Sequence, residues 1–289
     1  MSNDTEVIKK YKEKNFEVDV SEKKHTVEGS KIKGLRSLIQ IFDKNILIVL
    51  LLVLWEVAPR VGLVDRVFLP PISEVFVAWF KLFQKGEMQA HIAASLIRAF
   101  SGFIIALLWA IPAGMLIGWF KRVSNIFTPV LELFRNTAAL ALFPVFILFL
   151  GIGEASKIGI VVYACSWPIL LNTITAVKNV DPLLIKAALS MGVTNFQLFR
   201  KVIIPAAIPT MFVGIRLSGT TSILVLVAAE MIGAKAGLGY LIQYAQYSFL
   251  IPSMYAGIIT ISIIGFIINK ILLHLESKYT AWKPKAENQ

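Results

Sequence analysis

The chain has 289 residues, of which 56% are hydrophobic and 16% charged, with a formal net charge of +11; soluble domains carry about 45–50% apolar and about 25% charged residues. That composition excludes a wholly soluble fold and predicts an all-α integral membrane protein, since several apolar runs approach the roughly 20 residues that cross a bilayer core. The single cysteine, Cys165, excludes an intrachain disulfide, and three histidines, His25, His91 and His274, offer no metal cluster. Residues 1–44 are rich in Lys and Glu and read as a polar cytoplasmic tail, with a short amphipathic helix at 35–42. The membrane domain then covers 45–283, and 284–289 form a second short tail.

The first span is expected at 45–63. Pro70 and Pro71 break the chain before an aromatic-rich stretch, 72–83, which suits a helix lying in the headgroup region. Further spans are expected at 91–120, 126–150, 157–177, 202–231 and 254–275, giving six transmembrane helices. The Gly114 and Gly118 spacing would let a neighbouring helix approach closely. With the amino terminus inside, fifteen Lys and Arg flank the inner ends of the spans and six, Arg60, Arg66, Lys81, Lys85, Lys157 and Lys235, lie outside. The bias predicts both termini in the cytoplasm and explains the basic charge without a nucleic-acid partner.

The most informative stretch runs from Asp181 to Pro209 between the fourth and fifth spans. Asp181 suits an N-cap, and Pro182 suits the first helical position, where it has no amide hydrogen to lose. A helix is expected to Met191, with Ala187 and Ala188 leaving a shallow face and Gly192 forming a left-handed cap. Thr194 caps a second helix at 195–204, with Phe196, Phe199, Val202 and Ile203 as its apolar stripe, and Pro205 marks the turn into the membrane. Taken alone, this is either a plain loop hairpin or a docking element that passes force to the spans on either side. A DNA-binding helix-turn-helix is excluded because both flanks enter the membrane within a few residues.

The run Lys186-Ala187-Ala188, Gly192, Val202, Ile204 and Pro205 resembles, at conserved spacing, the EAA loop of binding-protein-dependent ABC importer permeases. The order LPPISEV, HIAASLIRAFSGF, LFLGIGEASKIGI, LLNTITAVKNVDP and LVAAEMIGAKAGLG resembles the nitrate, sulfonate and taurine branch, over about residues 68–282. The resemblance implies a type I (MetI-like) importer fold whose coupling loop, about 181–205, inserts into a cytoplasmic ATPase dimer. It carries over Ala187, Ala188, Gly192 and Pro205 as coupling residues, with Lys186 in place of the family's leading Glu. It also implies a second permease copy, an extracytoplasmic solute-binding protein and a small cargo such as a sulfonate, taurine or nitrate.

No G-x-x-x-x-G-K-[ST] occurs, so ATP and Mg are expected on the partner ATPase and no cofactor or metal is expected in this chain. Residues 233–239 are Gly-rich but read as a flexible outer turn. Ionisable residues inside spans cost on the order of 2.5–3.5 kcal/mol each, so each needs a partner or water. Arg98 and Glu230 both fall towards the outer leaflet and are expected to pair structurally. Arg216, followed by Thr220 and Thr221, either lines a water-filled route or serves helix–helix hydrogen bonding. Arg135 and Asn136, near the inner start of the third span, and Asn172, near the inner end of the fourth, are candidates for an inner gate. The rival readings are an ATP-independent secondary transporter or channel, for which inverted repeats would be expected, and a membrane-bound sensor or scaffold.

Overall fold

The computed structural model describes residues 46–280; the tail at 1–44, its amphipathic helix at 35–42 and the tail at 284–289 lie outside the described residues. Within that range the chain divides into two compact units at residue 72. In the first, residues 46–60 form α1, and the link after it folds back on the helix. Trp55 Nε1 donates to the Pro70 carbonyl (3.1 Å), Arg66 Nε donates to the Pro59 carbonyl (3.2 Å), and Asp65 accepts from the Val67 amide (2.9 Å).

The second unit is helical throughout. In chain order it holds α2 (Ile72–Gln84), α3 (Glu87–Trp119), α4 (Lys121–Arg135), a 3₁₀ turn (Ala139–Leu142), α5 (Phe143–Leu150) and α6 (Glu154–Lys178). After these come α7 (Pro182–Ser190), α8 (Asn195–Leu198), a π-helical turn (Phe199–Ile203), α9 (Ile204–Glu230), α10 (Leu238–Tyr247) and α11 (Ile251–Tyr279). Helices α3, α6, the continuous rod Asn195–Glu230 and α11 are long and apolar enough to cross a membrane.

Glycines set how these rods run. Gly102 lies against Val161, Gly114 against Thr173 and Gly118 against Val177; a Cβ on Gly114 would sit 2.7 Å from Thr173 Cβ. Both series of numbers rise together, so α3 and α6 are parallel and in close contact. Helix α9 runs the other way beside α6. Gly214 meets Asn172 and the Pro168 carbonyl, while Ser218 Oγ donates to the Cys165 carbonyl (2.8 Å) and Cys165 Sγ to that of Ser218 (3.4 Å). Gly219 against Leu272 and Arg216 against Glu276 make α11 antiparallel to α9.

Two parallel helices require the chain between them to travel back along the bundle. Residues 121–150 do so, but not as the single rod expected at 126–150. Helix α4 and the 139–150 segment meet at 87°. Thr137 Oγ1 turns back to the Leu133 carbonyl (3.2 Å) at the break, and the chain restarts through the 3₁₀ turn into α5, whose first turn accommodates Pro144. Of six expected spans, the described residues thus show four helices long and apolar enough to cross, a fifth if the bent pair is one span, and the 15-residue α1. Helix α2 is fixed to protein along one side, with Val75 and Leu82 buried beside Leu238, Leu241 and Ala256, and Trp79 Nε1 donating to Thr260 Oγ1 (3.0 Å).

Candidate coupling site

At one end of the bundle, where α3 and α6 finish and α9 begins, the chain forms the hairpin α7–α8. Asp181 accepts from the Leu183 amide (2.8 Å), and Pro182 occupies the first helical turn. Gly192 takes φ +75° just after α7, a left-handed geometry that costs other L-residues roughly 1–2 kcal/mol. Thr194 and Gln197 then satisfy each other's amides, Gln197 Oε1 accepting from the Thr194 N–H at 3.0 Å. Beneath the hairpin, Ala188, Leu198 and Ile203 are buried with Val180, Ala207 and Met211. Its outer surface stays apolar: Leu183 is 71% and Phe196 70% exposed, and Leu184, Leu189 and Met191 are exposed beside them.

The hairpin's second arm does not turn at Pro205. Residues Asn195–Glu230 form one rod, widened to a π turn at 199–203, and Pro205 sits exposed in the first turn of α9. The wide turn lets the helix absorb the amide that proline lacks, so the arm is a direct extension of a membrane span. Lys186 and Ala187 are exposed on α7, whereas Ala188 packs inward.

The opposite end is built around charge. Glu230, fully buried, accepts from Arg98 Nη1 (2.7 Å), Ser95 Oγ (2.7 Å) and the Gly239 amide (3.0 Å). Arg98 also grips Glu154 with Nε and with Nη2 (2.7 Å), and Nη1 reaches the Ala236 carbonyl (2.6 Å). Lys157, 2% exposed, donates to the carbonyls of Gly153 (2.9 Å) and Gly233 (3.4 Å). The Gly237 and Leu238 amides are held by His91 Nδ1 (3.1 Å) and Ser95 Oγ (2.8 Å). Residues 237–239 therefore have three successive amides fixed by side chains, a pinned turn rather than the flexible one expected. A Cβ at Gly237, which has φ +127°, would run into the Glu230 carboxylate.

The candidate path residues are not gathered into one site. Phe134 stacks on Trp167 (centroids 5.8 Å apart), and its carbonyl accepts from Tyr163 Oη (3.3 Å). Tyr163 and Trp167 stand near the middle of α6, so Arg135 and Asn136 lie about halfway along the bundle rather than near its inner end. Both are exposed on this chain. Asn172 bonds its own helix at the Pro168 carbonyl (2.8 Å) and abuts Gly214. Arg216 is turned to α11, where Glu276 pairs with it at 3.4 Å. Thr221 bonds the Leu217 carbonyl of its own helix (2.9 Å), and Thr220 is half-buried.

Residues 110–281 match the family described as the binding-protein-dependent transport system inner membrane component. This chain belongs to that family. The permease is 34% identical to a probable ABC transporter permease of Brucella abortus, over 76% of this chain and 88% of that protein. It is 35% identical to the taurine transport system permease protein TauC of Escherichia coli, over 82% of this chain and 87% of that protein. The aliphatic sulfonates transport permease protein SsuC of Bacillus subtilis is 32% identical over 82% of this chain and 86% of its own length. In fold the permease matches the inward-facing methionine ABC transporter MetNI with a TM-score of 0.58 at 18% identity, covering 68% of this chain and 98% of that one. The permease is thus the membrane component of an ABC importer with a MetI-like type I fold.

Sequence reasoning placed Arg98 and Glu230 in the same leaflet but missed Glu154, Lys157, Ser95 and His91. The signal for two of them was available: His91, Ser95 and Arg98 recur at i, i+4 and i+7, one face of α3. Glu154 lies before the span expected at 157–177 and carries no such mark, and Lys157 counted only as an outer cation.

Proposed function

We propose that this permease passes a small anionic solute of the sulfonate or taurine class from an extracytoplasmic binding protein into the cytoplasm, along a path it forms with a second copy of itself. A cytoplasmic ATPase dimer, which binds and hydrolyses ATP with Mg, docks on the hairpin at 181–205, and both termini face that side. The observation that carries the reading is the hairpin itself: exposed Leu183, Leu184, Met191 and Phe196 ride on an arm continuous with α9. Apolar groups at that density suit a protein groove, and closure of the groove would tilt the α9 rod without an intervening joint. In this reading Ala187 and Ala188 admit close approach, Gly192 sets the hairpin's angle, Pro205 lies in the rod that carries the movement into α9, and Lys186 meets an acidic or neutral contact on the ATPase.

The solute class rests on the taurine and sulfonate names of the relatives. For the path we choose Arg135 and Asn136 first. Irregular backbone at membrane depth is tolerated only against protein or water, so the exposed break at 136–138 suits a route between two copies. Asn172 borders it in this scheme, and Arg216, Thr220 and Thr221 serve it from the side of α9. The pair Arg98–Glu230 is assigned a structural role at the outer end.

The test is reconstitution of the permease with its ATPase and binding protein in proteoliposomes. ATP-dependent uptake of a radiolabelled alkanesulfonate or taurine is expected, with uptake lost in Leu183→Asp. Uptake driven by an ion gradient with no ATPase present would overturn the assignment.

A further inference from the structure

Helix α4 carries three distinct faces. Ser124 and Leu131, two turns apart, are buried. Ile126, Val130 and Leu133 recur at i, i+4 and i+7 and form an exposed apolar face. Lys121, Asn125, Thr128, Glu132 and Arg135 recur at i, i+4, i+7, i+11 and i+14 and form a polar one, with all five exposed on this chain. Thr128 Oγ1 donates to the Ser124 carbonyl of the same helix (2.7 Å), so even this hydroxyl binds no neighbouring element.

Depth gives the polar face its meaning. Helix α4 starts at the hairpin end, directly after α3, and its 15 residues cover about 22 Å. The stack of Phe134 on Trp167 holds its far end about halfway along the bundle. An ionised side chain at that depth is tolerated only against water or an opposite charge. Glu132 and Arg135 stand one turn apart on the same face, yet they do not pair with each other, and among the described residues neither has another ion-pair partner. A carboxylate and a guanidinium held side by side and both unpaired are matched by a solute that carries a cation and an anion a few bonds apart.

We propose that the polar face of α4 is the inner half of the solute path and that Glu132 is a specificity residue at its top, accepting from the ammonium of an aminosulfonate while Arg135 donates to the sulfonate. This deepens the function proposed above and rests on it: among sulfonates the path favours the zwitterion over the plain anion. Glu132 repels a sulfonate that has no ammonium, and Lys121 at the far end of the face draws the anionic group onward.

The test pairs labelling with transport in the intact importer. Asn125→Cys, Thr128→Cys and Glu132→Cys should react with a membrane-impermeant methanethiosulfonate applied from the hairpin side, and Ile126→Cys, Val130→Cys and Leu133→Cys should not; the buried native Cys165 serves as the blank. In proteoliposomes with ATPase and binding protein, Glu132→Gln should lower taurine uptake about tenfold, while propanesulfonate, similar in size but without the ammonium, enters as before or faster. Arg135→Gln should lower both about tenfold, and Glu132→Asp should restore much of the taurine uptake. Equal labelling of the polar and apolar faces, or protection of the polar face by the second copy, would overturn the path. Wild-type taurine uptake that is untouched in Glu132→Gln, or an equal fall for both sulfonates, overturns the role of Glu132 and leaves the proposed solute class standing. A wild-type permease that carries neither sulfonate overturns that solute class, and the role of Glu132 with it.

Discussion

The two ends of this bundle solve opposite problems. At one end Arg98, Glu154, Glu230 and Lys157 are placed so that opposite charges and carbonyls meet every ionised group, and the pinned turn at 237–239 closes over them. At the other end the hairpin caps its helices with Asp181 and Thr194, buries Ala188 and Leu198, and leaves other large apolar side chains in the open. The first end spends its polar groups on itself, so it holds three helices together. The second completes its backbone bonding locally and reserves its side chains, which is what a surface for another protein requires.

This contrast is sharpest at Glu230. Glu230→Ala removes one of the two carboxylates paired with the buried Arg98, and breaking a buried pair costs about 3–5 kcal/mol. The detergent-solubilised permease is expected to lose most of its folded yield, while Arg98→Met combined with Glu230→Met recovers much of it. A single variant that melts with the parent would mean that the cluster does not hold the helices. Gly237→Ala comes next: its positive φ and the Glu230 carboxylate together predict a loss of about 2 kcal/mol, read from the same melting curves. Wild-type melting at that position would show the turn able to move aside.

At the other end the expected readout changes from stability to association. Leu183→Asp should weaken retention of the ATPase about tenfold or more while leaving the melting temperature alone, measured by co-purification and by thermal unfolding of the same sample. If melting falls and association does not, the hairpin is a stability element like its counterpart. Gly192→Ala meets no atom within 4 Å and so carries only the backbone strain, about 1 kcal/mol. The smallest effect belongs to Glu154→Gln. Its side chain is 63% exposed, and a pair so open to water contributes below about 1 kcal/mol. A loss as large as that of Glu230 would show that Arg98 depends on both carboxylates equally.

Much of the α7–α8 hairpin was legible in the chain because its determinants are local. Asp181 before Pro182, Gly192 after a helix and Thr194 three residues before Gln197 each act within one turn. The positions of the long spans were legible for the same reason, through runs of apolar residues. The break in the third span was not, since the polar interruption at Arg135, Asn136 and Thr137 is short enough for a helix to run through and only the side-chain bond of Thr137 betrays it. The absence of a turn at Pro205 was equally hidden, because a proline can be absorbed by a wider helical turn when the chain has reason to continue straight.

What the sequence determined by itself was the membrane location, the helical class, the capped hairpin and its likeness to importer permeases, all properties of composition or of residues within a few positions of each other. Only the tertiary structure decided that α3 and α6 run parallel with glycines between them, that Arg98 is shared between carboxylates 56 and 132 residues away, and that Arg216 turns to α11. Those outcomes depend on which helix faces meet, and side chains far apart in the chain find each other only after the rods have packed.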